Sequence, residues 1–404
     1  MKFQFNSKTG QTIAIVLVVC LIFMAGAFTG YYFQLNPTGG SGFNHLFKPF
    51  YQAWDIVHDQ YLEQPVNDTL LMQGAIKGMM DSLGDPYTGY MDPEEYRQQN
   101  TPLQGEYTGI GAYVDTSGDA LIFISPMPNS PAEAAGIQPG DTVIMIDGED
   151  VRGMEPDLVL QKILGPEGTT VVIIVQREGE SEPIEFTIER AVITIPTVEQ
   201  TMLEDQIGYI RLYSFSSNSA EEFNTALTTL LDDGAQRLIV DLRSNSGGYV
   251  DTAVDIISDF INKDNIILIE EWGDGSRNEY TARGNPLAPD IPMVLLVDGG
   301  SASASEIMAG ALQDYGRAKL IGTTTYGKGL IQNWIPLADD SGAVRVTIAR
   351  WLTPKEQQIQ GNGLTPDITV EFTDEDIQAG NDVQLSAALK YLQQFSLEEN
   401  GNIN

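Results

Sequence analysis

The chain has 404 residues, 42 % of them hydrophobic, which is enough for two or three domains with packed cores. Its formal net charge of −34 disfavours nucleic-acid binding, because such a surface repels phosphate backbones. Cys20 is the only cysteine, so no intrachain disulfide can form, and the two histidines, His45 and His58, both lie near the amino terminus. A histidine-based hydrolase site and a His/Cys zinc site are therefore excluded from the later part of the chain.

The amino terminus contains 22 consecutive uncharged residues, Thr12–Phe33, which predict a transmembrane helix. Lys2 and Lys8 precede it, an arrangement that keeps the amino terminus cytoplasmic and exports the rest of the chain. A cleaved signal peptide is the alternative, because Ala25–Ala27 (AGA) has the form of a cleavage site. Apolar residues continue past that site and favour an uncleaved anchor. We therefore expect residues 1–42 to be a cytoplasmic stub, an anchor and a tether on a single-pass protein of the cell membrane, with its other domains extracytoplasmic.

Residues 43–102 are predicted to be a helical segment. A second helix is predicted over Leu70–Leu83, where a Gly-Asp-Pro cluster ends it. One apolar stripe recurs at three- and four-residue spacing: Phe47, Phe50, Trp54, Val57 and Tyr61. The stripe either packs onto the rest of the protein or forms a homodimer interface, and the spacing does not decide between the two.

In residues 103–190 the hydrophobic period changes to two, which predicts short strands joined by turns. A Gly-Ile-Gly loop leaves backbone N–H groups free to bind a terminal carboxylate, and the adjoining strand edge can pair with an extended peptide. With Ser130–Ile137 (SPAEAAGI) and Pro139–Asp141 (PGD) following in this order, the region resembles a PDZ domain. The residues expected to bind the peptide are Gly109, Ile110 and Gly111, with Ile110 and the apolar face beneath it receiving a nonpolar terminal side chain.

From residue 206 onward, predicted strands and helices alternate, which indicates an α/β layer with a largely parallel sheet. Met293–Val297 (MVLLV) is predicted to be a fully buried strand. A helix with a capping box is predicted to begin at Ser219, because Glu222 follows three residues later. We assign residues 191–372 to this layer and residues 373–404 to an acidic helical tail.

Three loops of the layer concentrate unusual residues. Asp298–Glu306 (DGGSASASE) follows the buried strand and opens a helix, Asp241–Gly248 (DLRSNSGG) follows another strand, and Gly322–Gly329 (GTTTYGKG) is the third. The third also fits the opening of a P-loop, but residue 329 is Gly rather than the Ser or Thr that would hold magnesium. Nucleotide binding is therefore a remote alternative.

The loops contain the parts of a serine hydrolase. A serine at a strand-to-helix turn presents its hydroxyl at the carboxyl edge of the sheet, and the helix N-terminus and a glycine loop supply N–H donors for an oxyanion. A lysine can replace histidine as the base when burial lowers its pKa. The residues alone leave a second interpretation open, in which Ser303 caps a helix and Lys328 is a surface lysine.

The ordered set of motifs resembles the carboxyl-terminal processing peptidases of serine peptidase family S41, which include tail-specific protease and the photosystem D1 processing enzyme. The resemblance spans residues 43–372 and rests mainly on the SASASE and YGKG motifs. It implies that Ser303 is the nucleophile, that Lys328, 25 residues later, is the base, and that Gln332 orients the lysine.

Further roles also follow only from the resemblance. The oxyanion donors map onto the N–H groups of Ala304 and Gly248, although Ser246 replaces a common glycine and leaves Gly247 as an alternative donor. Glu306 and Asp314 match acidic family positions and are interpreted as structural supports.

The resulting prediction is a membrane-anchored, multidomain α/β endopeptidase that needs no metal or nucleotide cofactor. It would cleave polypeptides near accessible, apolar carboxyl termini, with the PDZ-like domain recognising the tails. A non-catalytic PDZ adaptor built on a peptidase-like body is the alternative, and the intact Ser, Lys and Gln motifs disfavour it.

Overall fold

The computed structural model of the chain describes residues 41–401, in two compact units that meet between Ala75 and Ile76. The predicted anchor, Thr12–Phe33, lies outside the described residues. Among the helices of residues 41–401, none has the length and apolar composition needed to cross a membrane.

The first unit consists of helix α1 (Ser41–Gln60) and the start of helix α2 (Asp68–Asp81). The apolar stripe of α1 carries stacked side chains, with the Trp54 and His58 rings 5.0 Å apart. The His58 ring also bonds the Trp54 carbonyl at 2.8 Å and the Asp68 carboxylate at 2.7 Å, and these bonds raise the pKa of His58. The second helix begins and ends two residues before the predicted range.

A short strand and a helix precede the PDZ-like region: β1 (Gly89–Met91) and α3 (Pro93–Gln104). Asp92 and Glu95 form a capping box at the start of α3, and Gly105 ends the helix with a left-handed backbone, φ 73°. The strand was not predicted, because three residues carry too short a pattern to identify.

The PDZ-like region has a six-stranded sheet and two helices. Its elements, with the pair of strands that flank it, are β2 (Glu106–Gly109), β3 (Ala112–Asp115), β4 (Ile122–Pro126), α4 (Pro131–Ala135), β5 (Thr142–Ile146), β6 (Glu149–Asp150), α5 (Pro156–Ile163), β7 (Thr170–Gln176), β8 (Ile184–Glu189) and β9 (Ala191–Thr194). The sheet order is β3-β4-β5-β7-β8, with β6 beside β5, and the flanking strands β2 and β9 pair with each other. The strand that leads into the PDZ-like region and the strand that leaves it are therefore hydrogen-bonded neighbours.

The remaining elements form the α/β body. They are β10 (Val198–Leu203), β11 (Ile207–Leu212), α6 (Ser219–Asp232), β12 (Arg237–Asp241), α7 (Val250–Ile257), β13 (Ile266–Trp272), β14 (Arg277–Thr281), β15 (Met293–Val297), α8 (Ala304–Asp314), β16 (Ala318–Gly322), β17 (Leu330–Pro336), β18 (Ala343–Leu352), β19 (Ile368–Thr369), α9 (Asp374–Ala379) and α10 (Val383–Gly401).

The predicted parallel sheet has the order β10-β11-β12-β15-β16-β19 and is parallel except for β10. Helices α6, α7 and α8 cover one face, where Phe223, Phe260 and Leu312 are fully buried or nearly so. The other face is covered by α10 through Ala388 and Leu392. Because both faces are covered, the strands are continuously apolar.

A second sheet of the body is antiparallel and was not predicted. It has the order β1-β18-β13-β14, with β17 also paired to β18. Two of its pairings, β13–β14 and β17–β18, are hairpins, but β1–β18 and β13–β18 join segments that lie far apart in the sequence, so no local pattern predicts the assembled sheet. This sheet receives the chain directly after the Gly-Lys-Gly loop.

The predicted capping box at Ser219 is wrong. Asn218 stands at the N-cap position, and Ser219 is the first helical residue. The Ser219 hydroxyl instead bonds the Ser216 N–H and the Ser214 carbonyl, both at 2.9 Å, while Glu222 accepts the Thr197 N–H at 2.8 Å. The loop before the helix thus takes the Ser219 hydroxyl, and a distant main-chain group, the Thr197 N–H, takes the Glu222 carboxylate.

Candidate active site

Ser303 occupies a strained turn between the buried strand β15 and helix α8. Its backbone has φ 55° and ψ −115°, an unusual conformation for a residue other than glycine. Two hydrogen bonds of the residues just before Ser303 fix the turn. Asp298 accepts the Gly300 N–H at 2.9 Å, and the Ser301 hydroxyl donates to the Leu242 carbonyl at 2.7 Å. The surrounding bonds therefore hold Ser303 at the amino end of α8 against its own backbone preference.

Glu306 joins the serine turn to the lysine loop. Its side chain is fully buried, and one oxygen, Oε2, accepts the main-chain N–H of Ser303 and that of Lys328, each at 2.9 Å. The other oxygen, Oε1, accepts the Gly327 N–H at 2.7 Å and the Thr325 hydroxyl at 2.6 Å. The main chains of the predicted nucleophile and base are thus bonded to a single carboxylate.

Lys328 is partly buried beside this carboxylate. Burial and the nearby Arg345 lower the pKa of the Lys328 amine, and Glu306 acts in the opposite direction. The Lys328 carbonyl accepts the Trp351 indole N–H at 3.0 Å. Among the described residues, no hydrogen bond joins Ser303 Oγ to Lys328 Nζ. The loop therefore provides a lysine shifted toward its neutral form, near the serine turn but not bonded to the hydroxyl.

Gln332 lies on β17 in the antiparallel sheet, at an irregularity in the pairing with β18. Its Nε2 atom is buried and has no hydrogen-bond partner within the described part of the chain. The structure therefore leaves the residue that was predicted to orient the lysine with an unused donor.

The glycine loop lies against the serine turn. A Cβ on Gly247, whose φ is 103°, would stand 2.8 Å from the Ala304 N atom and 2.7 Å from the Ala302 carbonyl oxygen, so only glycine fits. The Gly247 N–H donates to Asn245 Oδ1 at 2.9 Å. Neither the Gly248 N–H nor the Ala304 N–H has a hydrogen-bond acceptor among the described residues. Gly248 and Ala304 thus provide two free donors, and Gly247 does not.

Asn245 holds the two loops together and was missed by the sequence analysis. Its side chain is fully buried and donates to the Leu212 carbonyl at 2.7 Å. Its own carbonyl accepts the Ala302 N–H at 3.0 Å and the Ser305 hydroxyl at 2.8 Å. A polar amide directly after an apolar strand was the available signal for this role.

Asp314 lies at the far end of α8 from Ser303. Its carboxylate accepts the Lys355 N–H at 2.8 Å, which fixes the turn after β18. The contact agrees with a supporting part in the fold and does not bring Asp314 to the serine turn. No group of three or more His, Cys, Asp or Glu side chains in residues 41–401 could hold a metal ion.

The predicted peptide-binding loop is constrained from both sides. Gly109 pairs with β9, Gly111 has φ 75°, and Ile110 is 3 % exposed within the core of the PDZ-like region. The expectation that the Ile110 side chain receives a terminal residue is therefore wrong, because that side chain already fills the core. Of the loop's main-chain groups, the Ile110 and Gly111 carbonyls already accept the Ala132 and Met127 N–H groups, at 2.8 and 3.0 Å.

Tyr107 lies over this loop, a contact that the sequence did not reveal. An ideal Cβ on Gly109 would be 2.9 Å from the Tyr107 ring. Burial raises the pKa of Tyr107, and the main-chain N–H groups of Ala112 and Gly111 act in the opposite direction. A groove of about 420 Å³ adjoins the loop and is lined in part by Tyr107, Leu164 and Arg97.

Comparison with known proteins gives three matches to family models along the chain. Residues 36–95 match the activating protease CtpB N-terminal domain, residues 122–177 match a PDZ domain, and residues 206–370 match peptidase family S41. The matches follow the order in which the helical segment, the PDZ-like region and the α/β body occur in the chain.

Curated relatives match most of the chain. The carboxy-terminal processing protease CtpA of Bacillus subtilis is 38 % identical over 337 residues, which are 83 % of this chain and 71 % of that protein. The carboxyl-terminal-processing protease of Synechocystis sp. is 36 % identical over 359 residues, 87 % of this chain and 82 % of that protein. A solved photosystem II D1 C-terminal processing protease is 30 % identical, with a TM-score of 0.47 over 79 % of this chain and 86 % of its own.

The fold and the comparisons together define the class: an α/β serine protease body combined with a PDZ domain. The chain belongs to the carboxyl-terminal processing proteases of peptidase family S41. The family resemblance on which the sequence analysis relied is confirmed.

Proposed function

We propose that the protein is a serine endopeptidase that cleaves polypeptides near their carboxyl termini with a Ser303/Lys328 dyad. The main support is the Glu306 carboxylate, whose Oε2 atom accepts the main-chain N–H of both residues. A buried acceptor shared in this way fixes the nucleophile turn and the base loop relative to each other. The lowered pKa of Lys328 suits a base that must be neutral when it acts.

In the proposed mechanism, Ser303 Oγ attacks the scissile carbonyl carbon while the neutral Lys328 amine takes the hydroxyl proton. The N–H groups of Ala304 and Gly248 stabilise the negative oxygen of the tetrahedral intermediate. The protonated lysine gives its proton to the leaving amine, which departs and leaves an acyl-enzyme. Water, deprotonated by Lys328, then hydrolyses the ester and restores the serine. Gln332 would orient the lysine through its side-chain oxygen, which can accept a hydrogen bond from the amine, while its free Nε2 donor would be available to the substrate.

Substrate selection is proposed to rest on the PDZ domain. The backbone N–H groups of the Gly109–Gly111 loop would bind the terminal carboxylate, and the adjoining groove would accept an apolar tail. The names of the relatives, which describe processing at carboxyl termini, agree with this selection. A substrate that ends in an amide should be cleaved more slowly than the same substrate with a free carboxylate.

The decisive experiment measures cleavage of an unstructured, apolar-tailed protein by the full chain. Ser303→Ala and Lys328→Ala should each lower kcat by roughly 10³-fold or more, and the double variant should lose little beyond that, because the pair acts as one unit. Lys355→Ala, which removes an exposed lysine of the turn after β18, is the matched control and should keep normal turnover. Near-normal kcat in Lys328→Ala would refute the dyad.

The adaptor alternative has one specific observation in its favour: Ser303 Oγ and Lys328 Nζ are not hydrogen-bonded among the described residues. Ligand-free sites often tighten only in the substrate complex, so this geometry is also compatible with a resting enzyme. Retained binding of tail peptides, without cleavage by the wild-type chain under any condition tested, would establish the adaptor instead.

The location and assembly are also proposals. The uncharged run Thr12–Phe33 would anchor the protein in the cell membrane with residues 43–404 outside the cytoplasm. Exposed apolar side chains of α1, including Phe47, Phe50 and Tyr51, would form a homodimer interface. Mass spectrometry of the mature amino terminus tests the anchor, and the mass of Phe50→Glu in solution, compared with wild type, tests the interface.

A further inference from the structure

Arg243 connects the glycine loop to the carboxyl-terminal helix. It stands two residues after β12, at the start of the loop that leads to Gly248. Its guanidinium donates to Asp241 on its own loop and, through two nitrogens at 2.9 and 2.8 Å, to the Asp382 carboxylate. A further bond at 3.2 Å reaches Gln384 Oε1. Asp382 and Gln384 lie at the beginning of α10, 139 and 141 residues away in sequence.

Most of these groups are shielded from water, and the Asp382 side chain, at 36 % exposure, is the most accessible of them. Asp241 is fully buried, Gln384 is 1 % exposed, and the Arg243 side chain is 13 % exposed. Burial acts to lower the pKa of Arg243, but the bonds to Asp241 and Asp382 outweigh it and raise the pKa. Charged hydrogen bonds with two planar, bidentate partners restrict the guanidinium more than single exposed pairs do. Arg243 is therefore held in a fixed position by α10.

The position of α10 is itself well determined. The Asp382 carboxylate accepts the Leu385 N–H at 2.8 Å and so caps the helix. Gln384 donates to the Val370 carbonyl at 2.8 Å, and Ala388 and Leu392 are fully buried against the parallel sheet. The start of α10 can consequently act as a fixed support, although it lies beyond the residues that match the S41 family model.

The other end of the loop reaches the proposed oxyanion donors. Asn245 accepts the Gly247 N–H through its side chain and the Ala302 N–H through its carbonyl. A movement of Arg243 would be passed through Asn245 to Gly248 and would change its distance from Ala304. Loss of oxyanion geometry lowers the rate of the chemical step and leaves ground-state binding nearly unchanged.

We propose that Arg243 is a positioning residue, held by Asp382 and Gln384 of the carboxyl-terminal helix, that sets the Gly248 N–H donor against the Ser303 turn. The inference rests on the proposed peptidase function and deepens it. The start of α10 thereby becomes part of the catalytic apparatus, and not only a cover for the sheet.

The test uses Asp382→Ser in the full chain. Serine keeps the helix cap, since it is among the preferred N-cap residues, but it cannot form the bidentate pair with Arg243. The matched control is Glu356→Gln, because Arg277 is likewise bonded to two carboxylates, Glu271 at 2.9 Å and Glu356 at 3.0 Å, outside the loop.

For Asp382→Ser we expect kcat to fall roughly 10- to 100-fold with KM within about twofold of wild type, less than the roughly 10²–10³-fold loss for removal of an oxyanion donor. Asp382→Asn, which keeps both the cap and one acceptor for Arg243, should recover part of the loss. Glu356→Gln should match wild type. Equal kcat in Asp382→Ser and wild type overturns the proposal.

A second measurement does not depend on activity. Amide hydrogen exchange of residues 243–249 should become at least severalfold faster in Asp382→Ser than in Glu356→Gln, because the loop loses its support. If the wild type cleaves nothing, the proposed function fails, and the exchange measurement still tests whether Asp382 holds Arg243 and the glycine loop in place. Unchanged exchange in the loop overturns the proposed positioning role of Arg243, whether or not cleavage is observed.

Discussion

At the scale of single residues, the candidate site depends on side chains that take no part in the proposed reaction but hold the reacting loops in place. Glu306 accepts four hydrogen bonds from the serine turn and the lysine loop. Asn245 likewise joins the glycine loop to α8, because it accepts the Gly247 N–H and the Ser305 hydroxyl. Each is a buried polar side chain with its hydrogen bonds satisfied, and such groups are costly to disturb because the partners left behind are buried as well.

Glu306→Gln should lower both stability and turnover. The glutamine amide would direct N–H groups at main-chain N–H donors, so at least one buried donor stays unpaired at a cost of about 1–3 kcal/mol. We expect a loss of that order in urea unfolding and a fall in kcat of tenfold or more. Glu221→Gln, at an exposed position of α6, is the control and should show neither effect. Wild-type values for Glu306→Gln would contradict the role assigned to the carboxylate.

Arg345→Gln should shift the pH dependence of cleavage. Burial is the main cause of the lowered pKa of Lys328, and the positive charge of Arg345 adds to it by disfavouring the protonated amine. Without that charge the pKa rises, so the neutral amine forms only at higher pH and the acid limb of kcat/KM moves to higher pH.

The control for this measurement is Arg350→Gln, on the same strand, whose side chain bonds Glu271 at 2.6 Å. Its pH profile should coincide with that of wild type. An acid limb that stays in place, or moves to lower pH, in Arg345→Gln would show that Arg345 does not tune the lysine.

At the scale of elements, a residue of β2, Tyr107, lies at the proposed tail site itself. The Tyr107 ring packs on Gly109, and the pKa of its hydroxyl is lowered by the N–H groups of Gly111 and Ala112 against the effect of burial. These are N–H groups of the same loop that a peptide carboxylate would use. We therefore expect a tail carboxylate to compete with the phenol oxygen for these N–H groups.

Tyr107→Phe should therefore bind tail peptides more tightly. Removing the hydroxyl frees the loop donors and leaves the ring packing in place, so we expect Kd for a free-carboxylate peptide to fall severalfold in a titration. An amidated peptide should gain less. Tyr113→Phe, an exposed tyrosine on β3, serves as the control. An unchanged or higher Kd in Tyr107→Phe would mean that the hydroxyl does not compete for the loop.

At the scale of the whole molecule, one half-buried acid, Asp259, makes the folding stability depend on pH. Burial, assisted by Asp255, raises the pKa of Asp259 from 3.8 to about 7. Between these values the folded chain keeps a proton that the unfolded chain has lost, so folding stability falls as pH rises through this window. Above it, both states are ionised and the full penalty is present.

Asp259→Asn should relieve this penalty. Compared with wild type, the variant should gain stability in urea unfolding at pH 8, and the gain should shrink steadily as pH is lowered toward 4. Asp233→Asn, at an exposed helix end, should show no such dependence. A stability difference between Asp259→Asn and wild type that is constant across this pH range would contradict the assignment.

The sequence by itself determined the parts and their order. Local spacing revealed the apolar stripe of α1 and the alternating strands and helices of the α/β body, because helices and parallel strands have short periods. Motif chemistry singled out Ser303 and Lys328 as the proposed dyad, and it recognised the PDZ domain and the family, which the comparisons confirm.

Only the tertiary structure decided how these parts touch. The Glu306 bond to Lys328 spans 22 residues and the Arg243 bond to Asp382 spans 139, and no local period records such distances. The structure also assigned Ile110 to the PDZ core, replaced the Ser219 cap and paired the antiparallel sheet. The Ser219 hydroxyl is taken by residues just before its helix, whereas Ile110 and the β1–β18 and β13–β18 pairs depend on contacts between distant segments. Such contacts form because they bury apolar side chains and satisfied hydrogen bonds together, and that burial exists only once the chain has folded.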